Sequence, residues 1–154
     1  LDVGFAEHAL EIVASAGVPT NRLEFEITEG ALERRNDIVE MLHCLVNAGI
    51  SLSVDDFGTG YSSLSHLRDL PVSCFKIDKS FVDGVPGDKK DVAIVRTIVA
   101  LGGSLGISTV AEGVETFEQL IFLQQEGVPT IQGFYFSKPI PAEDVCAFVT
   151  RASV

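Results

Sequence analysis

Basic residues are scarce in this chain: 11 lysines and arginines stand against 22 aspartates and glutamates, a formal charge of −11 over 154 residues. Such a surface disfavours duplex nucleic acid and anionic membranes, so neither is an expected partner. An anionic substrate would need metal ions or a local lysine to offset the field. Cysteine is nearly absent too. Cys44, Cys74 and Cys146 are far apart and form no C-x-x-C pair, so neither a zinc site nor a disulfide framework is indicated. The expected setting is a reducing cytosol. No apolar run is long enough to span a bilayer, and no signal-peptide pattern opens the chain. The Gly-rich dinucleotide fingerprint is missing. The start, Leu1-Asp2-Val3, has no Met, so the sequence is expected to be cut from something longer. What is plentiful is apolar: 46% of residues, enough for one sizeable core.

Helical and strand periodicities alternate along the chain. Residues 3–16 read as an amphipathic helix with Phe5, Ala9, Ile12 and Val13 on one face, stopped by Gly17 and Pro19. Leu23 to Thr28 alternates as a strand. Ile38, Met41, Leu42, Leu45 and Val46 mark a second helix, closed by Gly49, and Ile50 to Val54 the second strand. A helix is expected from about Ser62 to Asp69, then a strand over Cys74 to Asp78. Val92 to Leu101 is apolar nearly all round, predicting a buried helix that Gly102-Gly103 loosens at its end. Strands follow at Ile107 to Ala111 and Thr130 to Phe136, with a helix from Phe117 to Gln125 between them. Pro141 starts a final helix. His8, His43 and His66 read as solvated and carry no assignment.

This alternation predicts a parallel sheet covered by helices, an α/β fold. Five βα units of an eight-fold barrel need roughly 155 residues, so the chain reads as five-eighths of a TIM-like barrel or as a complete doubly wound sheet. The central stretch is Leu52-Ser-Val-Asp-Asp-Phe-Gly-Thr-Gly-Tyr-Ser-Ser-Leu64. It ends a strand in two adjacent carboxylates, Asp55 and Asp56, a donor set suited to a hard divalent cation. The ordinary reading of such an Asp-Asp-Phe-Gly turn is a solvated loop. Side-chain parity adds to the metal reading. Each strand puts one polar residue near its C-terminal end: Glu26, Asp55, Lys76, Glu112 and Gln132. Barrel active sites sit at that end, and a lysine inside an apolar strand needs an anionic partner.

Asp55 to Leu64, Lys76-Ile-Asp78, Ala111-Glu-Gly-Val-Glu115 and Gln132-Gly-Phe134, in this order and spacing, resemble the EAL domain of cyclic-di-GMP phosphodiesterases. Leu23-Glu-Phe-Glu-Ile-Thr-Glu29 is similar to the family's preceding strand. The resemblance implies a modified βα barrel, two divalent cations (Mg²⁺ or Mn²⁺) and hydrolysis of one phosphodiester of the cyclic dinucleotide. It assigns Glu26, Asp55, Asp56 and Glu112 to the metals, Asp55 as a bridge, and gives Glu112 a second possible role as general base. Lys76 would hold the attacking water or a phosphate oxygen, and Glu115 and Gln132 would support the site. Phe57, Gly58, Thr59, Gly60, Tyr61, Ser62 and Ser63 correspond to a mobile loop, with Glu29 as its anchor. By the same resemblance the parent would be a bacterial signalling enzyme, fused to sensory or GGDEF-type domains and homodimeric.

Two departures bear on activity. The Glu-Ala-Leu signature and a further Asn ligand, both expected upstream of Leu1, do not occur in the chain. The chain alone is therefore expected to show little phosphodiesterase activity. Three alternatives stand beside this reading. A catalytically silent cyclic-di-GMP-binding or interaction module is disfavoured by the intact Asp55-Asp56 and Lys76. An enolase-like enzyme also draws carboxylates and a lysine from successive strands, but lacks the Gly58 to Ser63 loop. A protein kinase would need an H-R-D loop before Asp56-Phe57-Gly58, and none is present.

Overall fold

The computed structural model describes residues 4–32, 36–60, 67 and 69–152. Its elements are α1 (Phe5–Ala16), β1 (Glu24–Thr28), α2 (Glu29–Leu32), α3 (Asn36–Asn47), β2 (Ser51–Phe57) and β3 (Cys74–Ile77), followed by α4 (Lys79–Val82), α5 (Lys89–Leu105), β4 (Ser108–Ala111), α6 (Phe117–Gln125), β5 (Thr130–Ile131) and α7 (Ala142–Ala152). The helix expected over Ser62 to Asp69 lies largely outside the described residues, as does His66.

The five strands form one parallel sheet in the order β1-β2-β3-β4-β5. A doubly wound sheet reverses its strand order at a switch point. Here the order never reverses, which removes that alternative and leaves the arc of a barrel. Connections of one hand that always advance in one direction stack their helices on one face. Side-chain parity agrees. Leu52, Val54, Phe75 and Ile77 are all 0% exposed and pack with Leu42 and Leu45 of α3 and Val95 and Ile98 of α5. Phe57 and Phe75 stack with ring centroids 4.2 Å apart, tying β2 to β3. The opposite face is polar. Glu26, Cys74, Lys76, Ser108, Thr130 and Gln132 line a cavity of about 400 Å³.

Several elements differ from expectation for identifiable reasons. Helix α1 turns Ala6 inward and packs Leu10 on the core, while Phe5 and Ile12 are 39% and 54% exposed. It packs chiefly on α3, with Phe5 meeting Phe25 of β1 edge-on at 6.4 Å, and its buried stripe is rotated from the expected one. Helix α5 does not loosen at Gly102-Gly103; it continues to Leu105 and is capped by Gly106 in the left-handed conformation. Gly102 instead allows close approach, since a Cβ there would lie 2.7 Å from the Ile107 carbonyl oxygen. Strand β5 stops at Ile131 and does not reach Phe136, because Gly133 to Phe136 turn back onto Val114: Tyr135 N–H donates to Val114 O (2.9 Å) and Phe136 N–H to Gly133 O (3.1 Å). Among the described residues, no helix is long and apolar enough to cross a membrane.

Candidate active site

The polar lip gathers around one lysine. Lys76 stands in the middle strand, and its side chain is only 8% exposed. Its Nζ lies 2.6 Å from Glu26 Oε1, 3.1 Å from Asp55 Oδ1 and 2.8 Å from Glu112 Oε1. Gln132 Nε2 donates to the same Glu112 oxygen at 2.8 Å. Four strands thus bring four charges together, and β5 leads directly into the amide that orients one of them. Burial works against the ammonium, but hydrogen bonds to Glu112 and Glu26 and the ion pair with Asp55 outweigh it and hold its pKa above the ordinary lysine range.

Asp55 and Asp56 occupy an irregularity that the sequence pattern does not reveal. Strand β2 runs on to Phe57, and its register against β3 shifts between Val54 and Phe57. Val54 pairs with Phe75 and Phe57 with Ile77, so two residues of β2 face one of β3. This is a β-bulge, and bulges re-aim side chains next to active sites. Asp56 takes a left-handed backbone (φ 53°), which Asp tolerates better than most residues. Its carboxyl pKa is raised, first by loss of solvation and then by the charges of Asp55 and Asp78, with Lys76 opposing.

Glu29 begins α2, buried at 4% exposure. Its Oε2 accepts from Gly58 N–H and Gly60 N–H, each at 3.0 Å. The carboxylate is thereby fixed to the turn that leaves the Asp55-Asp56 bulge. A Cβ on Gly60 would lie 2.9 Å from the Glu29 carboxyl carbon, so glycine permits this approach. Phe57 is buried beneath it, and Thr59 Oγ1 closes the turn by donating to Asp56 O at 2.8 Å. Tyr61, Ser62 and Ser63 lie outside the described residues. Glu115 stands apart from the lysine cluster: its Oε1 is 2.7 Å from Lys79 Nζ. Lys79 was not singled out from sequence, although it directly follows Lys76-Ile-Asp78.

The donor chemistry suits a hard divalent cation. Glu26, Asp55 and Glu112 supply carboxylate oxygens that converge on one point, and Asp55 Oδ1 is buried without a hydrogen bond despite its ion-pair distance to Lys76. Among the described residues, no three acidic, His or Cys side chains are arranged around an empty centre that could hold a metal; the centre here is the ammonium of Lys76. His8 and His43 are exposed helix residues away from this cluster. Cys74 faces the same cavity. Burial, and then the charge of Glu24, push its thiol up to about 11. A thiol reagent at about pH 8 should therefore modify Cys44 and Cys146, which are exposed, and reach Cys74 only on unfolding. Three fast equivalents in the folded protein would contradict this placement.

Known proteins share both the sequence and the geometry. The cyclic di-GMP phosphodiesterase NbdA of Pseudomonas aeruginosa is 45% identical over 135 residues, covering 87% of this chain and 17% of the relative. The chain thus spans about a sixth of that relative's length. Among solved structures, the phosphodiesterase PaMucR in complex with c-di-GMP superposes with a TM-score of 0.88 at 39% identity, covering 94% of this chain and 62% of the other. Klebsiella pneumoniae BlrP1, solved with manganese and cyclic di-GMP, gives a TM-score of 0.79 at 35% identity, covering 86% of this chain and 34% of the other. It has also been solved with calcium and cyclic di-GMP. These neighbours have a TIM-barrel-like fold, of which the five-stranded sheet is an arc. The EAL domain profile matches residues 1–139, from α1 through the turn after β5, and so takes in every strand that contributes to the lysine cluster: the chain belongs to the EAL domain family.

Proposed function

We propose that this chain carries most of the active site of a metal-dependent phosphodiesterase that opens cyclic di-GMP to its linear dinucleotide. The observation that carries the reading is the convergence of Glu26, Asp55 and Glu112 on the buried Lys76 ammonium, with Gln132 on Glu112. Glu26, Asp55, Asp56 and Glu112 would hold two divalent cations. Such cations, when bound, polarise a phosphate oxygen and lower the pKa of water. Lys76 donates a hydrogen bond to the attacking water or to a nonbridging phosphate oxygen. Its charge offsets part of the negative field that would otherwise repel a phosphodiester. In its alternative role Glu112 would be the general base that takes the proton of the water, with Gln132 holding its Oε1. Glu29 holds the Gly58–Gly60 turn, and with it the bulge of Asp55 and Asp56.

The wider reading places the protein in the bacterial cytoplasm, as a homodimer whose input comes from attached sensory or GGDEF-type domains. The test is turnover of cyclic di-GMP by the intact protein, followed by chromatography of the linear product. Activity should be lost in excess chelator, return with Mg²⁺ or Mn²⁺, and be inhibited by Ca²⁺, whose longer bonds and looser geometry spoil a tight two-metal clamp. Sustained turnover in chelator would overturn the metal assignment.

A further inference from the structure

The structure contains a second cation at the mouth of the sheet, and its partners are not those of Lys76. Lys79 opens α4, one residue beyond the Asp78 that caps this helix. Its stem lies flat on Gly113, where an added Cβ would come 2.4 Å from Lys79 Cγ. Its Nζ reaches Glu115 Oε1 at 2.7 Å, Asp83 Oδ1 at 2.9 Å and Gly113 O at 3.5 Å. A second tie runs in parallel. Gln119 is 6% exposed; its Oε1 accepts from Glu115 N–H (2.8 Å) and Thr116 N–H (3.0 Å), while its Nε2 donates to Val82 O (3.1 Å). Residues 113–116 are therefore fastened to α4 twice, once by a cation and once by a buried amide.

Those residues in turn carry the site. They continue directly from Glu112. Val114 N–H donates to Gln132 O at 3.1 Å, and Val114 O accepts from Tyr135 N–H at 2.9 Å. The 2.8 Å contact between Gln132 Nε2 and Glu112 Oε1 thus joins two side chains whose backbones meet at Val114. We infer that Lys79 is a positioning residue: with Glu115 as its counter-charge, it latches the 113–116 loop to α4 and so fixes the Glu112–Gln132 pair. The inference rests on the phosphodiesterase reading for its effect on rate, but its structural half stands alone. Lys79 does not touch the lysine cluster. Its side chain is 45% exposed and that of Glu115 48%, so the ion pair itself contributes little to stability. A small displacement of a reacting group costs far more in rate than the lost contact costs in folding.

The test compares Lys79→Ala, Lys79→Met and Lys79→Arg in the intact protein. Met keeps the stem over Gly113 and drops the charge; Arg keeps both. Lys79→Ala should lose about tenfold in kcat with KM changed by less than about twofold, the pattern of a lost transition-state alignment. Met should fall between Ala and wild type, and Arg should be close to wild type. Melting temperatures should be nearly equal across the set. Amide hydrogen exchange at Val114 and Tyr135 should be about tenfold faster in Lys79→Ala and return to the wild-type rate in Lys79→Arg. Unchanged exchange together with normal kcat in Lys79→Ala would overturn the latch. So would a collapse in melting temperature that Arg does not rescue, which would make Lys79 merely structural. If the wild-type protein fails to turn over cyclic di-GMP, the phosphodiesterase reading falls by itself, and the exchange rates still decide for or against the latch.

Discussion

Replacing Lys76 by alanine should lower kcat for cyclic di-GMP by about 100-fold or more, the scale of losing one preorganised charged donor. KM should change less, because the ligand carboxylates and the Gly58–Gly60 turn remain. Arginine should not rescue. The ammonium meets three carboxylate oxygens at 2.6–3.1 Å in a pocket that leaves its side chain 8% exposed. A planar guanidinium is larger and presents its donors in a fixed fork. The metal-free variant should also be less stable, by about 2 kcal/mol. That is below the roughly 3–5 kcal/mol for breaking a fully buried pair, because Glu26 is 51% exposed and can relax into water. Adding Mn²⁺ should recover most of the loss in a thermal melt, since a divalent cation neutralises the same carboxylates. Near-normal kcat in both Lys76→Ala and Lys76→Arg would remove Lys76 from the chemistry.

Gly133→Ala should be the most destabilising single methyl group in the described chain. The added Cβ would lie 2.2 Å from both Val114 N and Val114 O, and 2.7 Å from Val114 C. All three are backbone atoms of a residue with 0% exposure, so no side chain can swing aside. Overpacking of this kind costs about 3 kcal/mol or more, and here it also breaks the hydrogen bonds between the 113–116 loop and the turn after β5. Gly103→Ala is the contrasting control. That glycine is inside α5 with nothing within 4 Å of an added Cβ, and the change should stabilise by about 0.5–1 kcal/mol through helix propensity. Urea melts of both variants give the comparison directly. A Gly133→Ala protein with wild-type stability would mean that the 133–136 turn does not pack on Val114.

Much of this was legible from residue order alone. Period-2 alternation put Glu26, Lys76 and Asp55 on the polar face, and the structure brings their charged atoms together. The helix over Phe117–Gln125 matches its expected bounds, and the structure shows a reciprocal Thr116–Gln119 cap fixing its start. What stayed hidden depends on contacts between segments distant in sequence. The bulge at Asp55-Asp56 exists only relative to β3, and no local pattern encodes a register shift. The early end of β5 is set by Val114, nineteen positions before Gly133. Helix α4 spans only four residues, too few to show a period. The role of Lys79 is not legible in the sequence because, although Asp83 is only four residues on, Gly113 and Glu115 are more than 30 residues away. The buried stripe of α1 differs from the expected one because this helix packs chiefly on another helix, α3.

The placement of Lys76 on the middle strand makes the cluster a gauge of curvature. Hydrogen bonds of a sheet link only adjacent strands, here β3 to β2 and to β4. Glu26 belongs to β1, two strands away, which in a flat sheet is about 9–10 Å from β3. An ammonium stretched toward β1 across a flat surface would leave Glu112, on the opposite flank, behind. Contact with both at once requires a concave face whose side chains point toward a common axis. The Lys76–Glu26 pair therefore reports closure that no ladder bond can report. If the sheet were to flatten, this 2.6 Å contact would open before any strand separated from its neighbour.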